Sequence, residues 1–172
     1  MQVILYHIPQ MSGLPISLDL IDRLIAAFPG VVVGIKDSAG KMENMAAMLQ
    51  RFPGFAVLAG ADPLLLPLMQ MGGAGCITAT SNLVARDLAV VFQGATDPAQ
   101  ETAVASAQAR INAFRNLSNS YTQIPAIKAM VGYLTGDPGW RRLRPPLLGL
   151  SAAELADLRE KLLAIGATVQ GE

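Results

Sequence analysis

Four short apolar runs, separated by segments with helical spacing, place the strongest constraint on the fold of this chain. The runs lie near residues 2–8, 31–36, 55–60 and 75–80, and apolar side chains fill them without the alternation of a half-exposed strand. Continuous runs of this length are typical of parallel strands that are covered on both faces. Because short loops join them to the intervening helical segments, the pattern predicts consecutive right-handed βαβ units.

A coarse repeat supports this interpretation. The segments AAFPGVVVGIKDS and QRFPGFAVLAGAD share one order: a helix end, Phe-Pro-Gly, a strand and a polar loop. Gly after the last helical turn suits a left-handed cap, and Pro cannot continue the helix. Two helix starts are also predicted, one with Ser17 as N-cap and one with Asp62 as N-cap and Pro63 at the first helical position.

The pattern changes after residue 97. Three helices are predicted there: 98–117, 122–135 and 151–165. Ser151 and Glu154 have the spacing of a capping box at the start of the last one. We therefore divide the chain into four βα units over residues 1–97 and a helical region over residues 98–172.

Composition narrows the classes of function. The chain has 172 residues, 52% hydrophobic and 15% charged, and its 13 basic and 13 acidic residues cancel. Since no basic run occurs, neither nucleic acid nor an anionic membrane surface is a predicted partner, and no apolar run reaches the roughly 18 residues of a membrane span. With one Cys, Cys76, and one His, His7, a disulfide framework and a His/Cys metal cluster are excluded. These features predict a cytoplasmic protein with no metal and no cofactor.

Reactive side chains stand at the ends of the predicted strands. Lys36 ends the second run, and side-chain alternation puts it on the face opposite to Ile35, above the space left by Gly34. Tyr6 ends the first run, and its neighbour His7 is predicted to point towards the helices. Because ligands of parallel α/β folds bind at the carboxyl ends of the strands, Tyr6 and Lys36 fall where a site is expected.

A lysine in this position suits Schiff-base chemistry. Desolvation favours the neutral amine of a lysine, a neutral amine attacks a ketone to form a Schiff base, and the iminium then acts as an electron sink. A tyrosine hydroxyl within reach relays protons during these steps. The alternative for Lys36 is a solvated surface residue, and the alternative for Tyr6 is a buried phenol whose hydroxyl is hydrogen-bonded.

The ordered motifs of the chain resemble one enzyme family. YHIPQMSG, VVGIKDSAG, VLAGAD and GGAGCITATSNL, in this order and spacing, are similar to motifs of the class I aldolase family of dihydrodipicolinate synthase and N-acetylneuraminate lyase. TQIPAIKAMVGYLTG and LRPPLLGLS resemble its helical C-terminal region, so the resemblance runs from Met1 to about Ile165. It implies a TIM (β/α)8 barrel, of which these four βα units form the C-terminal half, followed by a helical C-terminal extension.

The resemblance also implies roles for particular residues. It makes Lys36 the Schiff-base lysine and Tyr6 the proton-relay tyrosine. It implies that the backbone of Ile77 lies near the bound keto acid, and that Gly60 and Asp62 fall in the loop that contacts the hydroxylated tail in sugar-acid members. Gly60 has the alternative role of permitting a turn, and Asp62 has that of the N-cap.

Met11 departs from the pattern of dihydrodipicolinate synthases. Those enzymes have an arginine five residues after the tyrosine, which binds a substrate carboxylate, and a thioether cannot replace it. With the KDSAG motif, this favours an aldolase or lyase that acts on a pyruvate-type 2-keto acid, such as a 2-keto-3-deoxy sugar acid. The alternative is a dihydrodipicolinate synthase proper. The family forms tetramers and dimers, which implies a homo-oligomer that binds a small-molecule 2-keto acid.

The chain contains no counterpart of the family's first four βα units. Those units carry the Gly/Thr-rich loop that binds the keto-acid carboxylate, and a half-barrel has two open edges that invite pairing with another chain. The chain is therefore interpreted as a truncation, a fragment of a longer product or half of an assembly. Two functions stay open: a Schiff-base lyase that is complete only within a larger barrel, and a non-catalytic half-barrel with a structural or assembly role.

Overall fold

One parallel sheet of four strands organises the first part of the chain. The computed structural model describes residues 1–168. The strands are β1 Val3–His7, β2 Val32–Asp37, β3 Ala56–Ala59 and β4 Gly75–Cys76. They neighbour one another in chain order, and all three pairs are parallel, as the apolar runs predicted. Among the described residues, β1 and β4 each pair with one other strand.

Helices follow the strands and continue beyond them. They are α1 Pro9–Ser12, α2 Leu18–Ala27, α3 Met42–Arg51, α4 Leu65–Gln70, α5 Ser81–Gly94, α6 Glu101–Asn119, α7 Gln123–Thr135 and α8 Ala152–Ala164. Ser17 caps α2, since its side chain accepts a hydrogen bond of 3.1 Å from the Leu20 N–H. Ser151 and Glu154 form the capping box of α8. These two helix starts confirm the prediction from sequence.

Two hydrophobic clusters hold the elements together. One lies between the sheet and helices α2 to α4, where Ile35 and Val57 are fully buried. The other joins α4 and α5 to the three later helices, with Val91, Ile111 and Leu158 among its fully buried members. Burying each such side chain stabilises the fold by about 1.5–3 kcal/mol. The second cluster therefore ties the helical region firmly to the last strand–helix units.

The fourth strand is shorter than predicted. The apolar run near 75–80 continues as a strand only to Cys76, and α5 begins at Ser81. Between them the Thr78 hydroxyl donates a hydrogen bond of 2.5 Å to the carboxylate of Asp62. After Cys76 the backbone thus leaves the β-sheet, and the Thr78–Asp62 hydrogen bond holds the segment instead. A run of apolar residues in the sequence does not indicate such a bond.

Asp62 itself is not the predicted N-cap. Ala61 occupies the cap position of the short 3-10 turn Asp62–Leu64, and no side chain caps that turn. The Asp62 carboxylate is fully buried, and one of its oxygens lies 3.5 Å from the guanidinium of Arg115 on α6. A buried charge is costly unless it is paired, so Thr78 and Arg115 account for a carboxylate at this place.

The two faces of the sheet differ in their burial. On the helix-covered face, Ile35 and Val57 have no exposed surface. On the other face, which we call the open face, Ile4 and Tyr6 are 48% and 50% exposed, and Ile77 beyond β4 is 47% exposed. Because neighbouring side chains of a strand point to opposite faces, the alternation of β1 and β2 decides which residues an incoming ligand meets.

Candidate active site

Tyr6 and Lys36 are direct neighbours at the carboxyl ends of adjacent strands. The parallel register of β1 and β2 pairs these two residues. The Lys36 Nζ lies 4.0 Å from the centroid of the Tyr6 ring, a distance at which the ring face attracts an ammonium. Since half of the Tyr6 surface is exposed, an amine and a phenol meet at a place that a small molecule reaches.

The surroundings of Tyr6 favour its ionised form. Hydrogen bonding to the Lys36 side chain, followed by that to the Ser38 side chain, lowers the pKa of the Tyr6 phenol, and partial burial opposes this effect. A phenol with a lowered pKa gives up its proton more readily, so a larger fraction of it is in the phenolate form at a given pH. Ser38 was missed in the sequence, although alternation puts it on the same face as Lys36.

Gly60 is required by a close approach of two loops. A Cβ at this position would collide with the Ser38 hydroxyl and would come within 2.8 Å of the Asp37 carbonyl oxygen. The Gly60 N–H donates a hydrogen bond of 2.7 Å to that same oxygen. A left-handed backbone is not the reason for this glycine, since Gly60 is not among the glycines with positive φ. Gly60 therefore brings the end of β3 against Ser38 and the end of β2.

Gly34 has a related role beneath Lys36. A Cβ there would approach the carbonyl oxygen of Ala56 on β3 to 2.5 Å. The position was expected to leave space under the lysine, but the neighbouring strand occupies that space. The glycine allows β2 and β3 to pair closely, two residues before Lys36.

Ile77 continues the row of strand ends. Its N–H donates a hydrogen bond of 2.9 Å to the carbonyl oxygen of Ala59, so the backbone stays beside β3 after the ladder ends. Four of the five predicted site residues, Tyr6, Lys36, Gly60 and Ile77, thus stand at the carboxyl ends of the four strands. Asp62 is the exception because its carboxylate is buried between Thr78 and Arg115.

A second polar cluster lies behind the site, on the helix-covered face. His7 and Asp37, which directly follow Tyr6 and Lys36 in the chain, are 5% and 1% exposed, and Asn44 of α3 bonds to Asp37. Alternation predicted the inward direction of His7. Asp37 and Asn44 were not predicted, because nothing in the spacing links a strand end to a helix residue of this kind.

The side chains at the ends of β1 and β2 offer an amine, a phenol and a hydroxyl group. Met11, on the short helix α1 that follows β1, is 79% exposed. Within residues 1–168, no three His, Cys, Asp or Glu side chains come together as a possible metal site. In the same part of the chain, none of the helices combines the length and the apolar character needed to cross a membrane.

Comparison with known proteins gives a consistent result. Residues 1–165 match the dihydrodipicolinate synthetase family. An uncharacterized DapA-like lyase of Chloroflexus aurantiacus is 38% identical over 166 residues, which is 95% of this chain and 54% of that protein. A 4-hydroxy-tetrahydrodipicolinate synthase of Chloroherpeton thalassium is 32% identical over 169 residues, 95% of this chain and 53% of that protein.

Solved structures agree with these relatives. Dihydrodipicolinate synthase from Agrobacterium tumefaciens superposes with a TM-score of 0.81 at 27% identity, over 96% of this chain and 54% of that one. Sulfolobus 2-keto-3-deoxygluconate aldolase has the same fold, with a TM-score of 0.82 at 21% identity, over 95% of this chain and 54% of that one. The chain spans about half the length of the relatives that it matches. Its architecture is a half-barrel of four βα units with a helical extension, and the chain belongs to the dihydrodipicolinate synthetase family.

Proposed function

We propose that this chain carries the Schiff-base part of a lyase or aldolase site that acts on a small-molecule 2-keto acid. The observation that carries the proposal is the Tyr6–Lys36 pair on the open face, with the amine 4.0 Å from the ring centroid. Membership of a family whose relatives include lyases and synthases supports it. The activity belongs to the cytoplasm and requires no cofactor.

Lys36 is the nucleophile in this proposal. The Nζ lone pair attacks the ketone carbon, the carbonyl oxygen takes up a proton, and the carbinolamine loses water to give an iminium. In the cleavage direction, the electrons of the bond between the third and fourth carbons flow into the iminium. The hydroxyl on the fourth carbon gives its proton to a base and becomes the carbonyl of the released aldehyde, and an enamine is left on Lys36. Protonation of the enamine and hydrolysis then return the free amine and the 2-keto acid.

Tyr6 is the group that takes and returns these protons. Its lowered pKa makes the phenolate accessible nearer to neutral pH, and a base near the reacting carbons must lie within hydrogen-bond reach of them. The Ser38 side chain contributes to the lowered pKa of Tyr6 and lies against Gly60, so it connects the pair with the end of β3. The roles of Gly60 and Ile77 as substrate contacts stay predictions, and their places beside the pair support them.

Asp62 is assigned a less direct role. Its contact with a hydroxylated substrate tail stays a prediction, and its full burial argues that it acts through the loops around it. By accepting the Thr78 hydroxyl bond, it fixes the segment between Ile77 and α5. In this role the carboxylate shapes the rim of the site through the segment that it holds.

The substrate class follows from Met11. An exposed thioether offers no bidentate donor for a second carboxylate, so a 2-keto-3-deoxy sugar acid or similar compound is the favoured substrate. The second candidate is the condensation catalysed by a dihydrodipicolinate synthase proper, which the name of the Chloroherpeton relative favours. The third is a half-barrel with a structural role and no chemistry.

A partner for the open face belongs to the same proposal. Ile4, Tyr6 and Ile77 are each about half exposed, and the free sides of β1 and β4 present unpaired backbone groups. We infer that further βα units cover this face and that the protein acts as a homo-oligomer.

The boundary at residue 97, between the four βα units and the helical region, stays a prediction.

Trapping of the Schiff base tests the proposal directly. The chain is incubated with pyruvate, reduced with borohydride, and digested for peptide mass spectrometry. We expect an adduct on the Lys36 peptide alone, and its complete loss in Lys36→Met. Lys41→Met is the matched control, since Lys41 is exposed and lies close by in the sequence. A folded chain with no adduct, or with an adduct that persists in Lys36→Met, would contradict the assignment and favour the structural role.

A further inference from the structure

A buried hydrogen-bonded cluster joins β1, β2 and α3 behind the candidate site. The His7 Nδ1 lies 3.2 Å from Asp37 Oδ1, and the Asn44 amide donates a hydrogen bond of 2.7 Å to Asp37 Oδ2. The Ala39 N–H donates a third bond of 2.8 Å to Oδ1. The carboxylate of Asp37 therefore has a donor from each of three separate segments.

The protonation of this cluster follows from its partners. An ionised carboxylate only accepts hydrogen bonds, so the His7 proton that faces it lies on Nδ1. The Nε2 atom of His7 is buried and has no hydrogen-bond partner among the described residues. The polar contacts of His7 are thus made through Nδ1, which faces both Asp37 Oδ1 at 3.2 Å and Asn44 Nδ2 at 3.4 Å.

The cluster lies directly behind the Tyr6–Lys36 pair, on the opposite face of the sheet. The register that pairs Tyr6 with Lys36 also pairs His7 with Asp37, and successive side chains point to opposite faces. The backbone closes the same junction, since Ser38 N–H donates to the His7 carbonyl oxygen at 2.8 Å. A shift of Asp37 relative to His7 must therefore shift Lys36 relative to Tyr6.

We propose that His7, Asp37 and Asn44 are positioning residues that lock the carboxyl ends of β1 and β2 to α3 and thereby hold Lys36 against Tyr6. This inference rests on the proposed Schiff-base function. None of the three side chains reaches the open face, so each acts through its chain neighbour. Catalytic groups that are misplaced by about 1 Å lose about 100-fold in rate, which makes such a support effective although it is remote from the substrate.

Asp37→Asn is the main test, because it removes the carboxylate and keeps the size of the side chain. Asp97→Asn is a matched control: Asp97 also accepts a backbone N–H two residues on, at 3.0 Å, and a side-chain amide, at 2.8 Å, but it lies at the start of the helical region. We expect the rate of pyruvate trapping on Lys36 to fall about 10- to 100-fold in Asp37→Asn and to stay at the wild-type value in Asp97→Asn.

A second readout does not need a substrate. The titration of Tyr6 is followed by NMR of ring-labelled tyrosine, with Tyr6→Phe identifying its signal among the three tyrosines. Because Lys36 is the main cause of the lowered Tyr6 pKa, a loosened pair raises that pKa towards the ordinary value. We expect this rise in Asp37→Asn and not in Asp97→Asn. A general loss of stability, measured by thermal unfolding, does not produce it.

Exchanging the side chains of Asp37 and Asn44 tests whether a restored bond recovers the rate of trapping. In the double variant Asp37→Asn/Asn44→Asp, an amide–carboxylate bond forms again with its two ends reversed, and the new carboxylate lies where Asn44 Nδ2 now stands, 3.4 Å from His7 Nδ1. We expect the double variant to recover most of the trapping rate. If Asp37→Asn does not fold, Asn44→Ala removes one bond of the cluster and is expected to raise the Tyr6 pKa in the same direction.

The outcomes separate this inference from the proposed function. Wild-type protein without a pyruvate adduct contradicts the function, and the Tyr6 titration still decides whether the cluster positions the pair. A folded Asp37→Asn protein with wild-type trapping and wild-type Tyr6 titration overturns the positioning role. The role is equally overturned when Asp97→Asn has effects as large as those of Asp37→Asn.

Discussion

The two faces of the sheet divide stability and chemistry between residues that are neighbours in the chain. Ile35 is fully buried against the helices, whereas the next residue, Lys36, points to the open face beside the half-exposed Tyr6. The difference arises from alternation alone. We therefore expect a one-residue step along β2 to change the consequence of a substitution from loss of stability to loss of the Schiff base.

The largest contrast is expected between Ile35→Ala and Lys36→Ala. Truncating a fully buried isoleucine costs about 2–5 kcal/mol, which lowers the midpoint of thermal unfolding by about 4–20 °C for a chain of this size. Lys36→Ala leaves the midpoint nearly unchanged and abolishes the pyruvate adduct. Calorimetry and borohydride trapping on the two variants measure both effects. The comparison breaks if Ile35→Ala, kept well below its midpoint, also loses the adduct.

A smaller contrast is expected at His7, where two substitutions separate packing from hydrogen bonding. His7→Leu leaves the buried Asp37 carboxylate without its imidazole donor and costs about 1–3 kcal/mol. His7→Asn keeps an N–H donor close to the place of Nδ1, so it retains most of that stability and the trapping rate. Urea unfolding of both variants checks this order. Equal losses for the two would show that imidazole packing, not the bond to Asp37, is what the cluster needs.

The smallest effect is expected at Cys76, next to the exposed Ile77. Burial, with a lesser effect of the Asp62 charge, raises the pKa of the Cys76 thiol from 9.0 to about 11. The rate of alkylation by iodoacetamide rises with the fraction of thiolate. We therefore expect the midpoint of that rise at pH about 11 in the folded chain and at pH about 9.0 in urea. Cys76→Ser, which removes the single cysteine, is the control for labelling elsewhere.

The same shift has a defined sign for stability. The folded chain holds the thiol proton more tightly than the unfolded chain, so this contribution is complete below pH 9.0 and is lost as pH rises towards 11. A thiol that reacts in the folded chain as it does in urea would mean that this end of β4 is as open as Ile77. The distinction between the faces would then fail at β4.

Periodicity in the sequence predicted what depends on local spacing. It predicted the four strands, the parallel sheet, the inward direction of His7, the cap at Ser17 and the capping box at Ser151. It also placed Tyr6 and Lys36 at strand ends, although the assignment of roles to them came from the resemblance to a family. Those roles stay predictions until the adduct is mapped.

The features that the sequence did not predict depend on partners far apart in the chain. An Asp before a Pro is typical of a helix N-cap, and Asp62 precedes Pro63. Its partners, however, are Thr78 of a later loop and Arg115 of a later helix. Tertiary contacts of this kind override local capping preference. Gly60 is similar, because the collision that excludes a side chain there involves Ser38 of the preceding strand loop.

The buried pair of Asp62 and Arg115 also has a consequence for the unfolding of the protein. If α6 moved away from the sheet, the fully buried carboxylate of Asp62 would lose its partner, the Arg115 guanidinium. Removing one partner of a buried ion pair costs about 3–5 kcal/mol of stability. Partial detachment of the helices is therefore unfavourable compared with complete unfolding. The amides of α6 and those around Thr78 should exchange their hydrogens with solvent in one cooperative event.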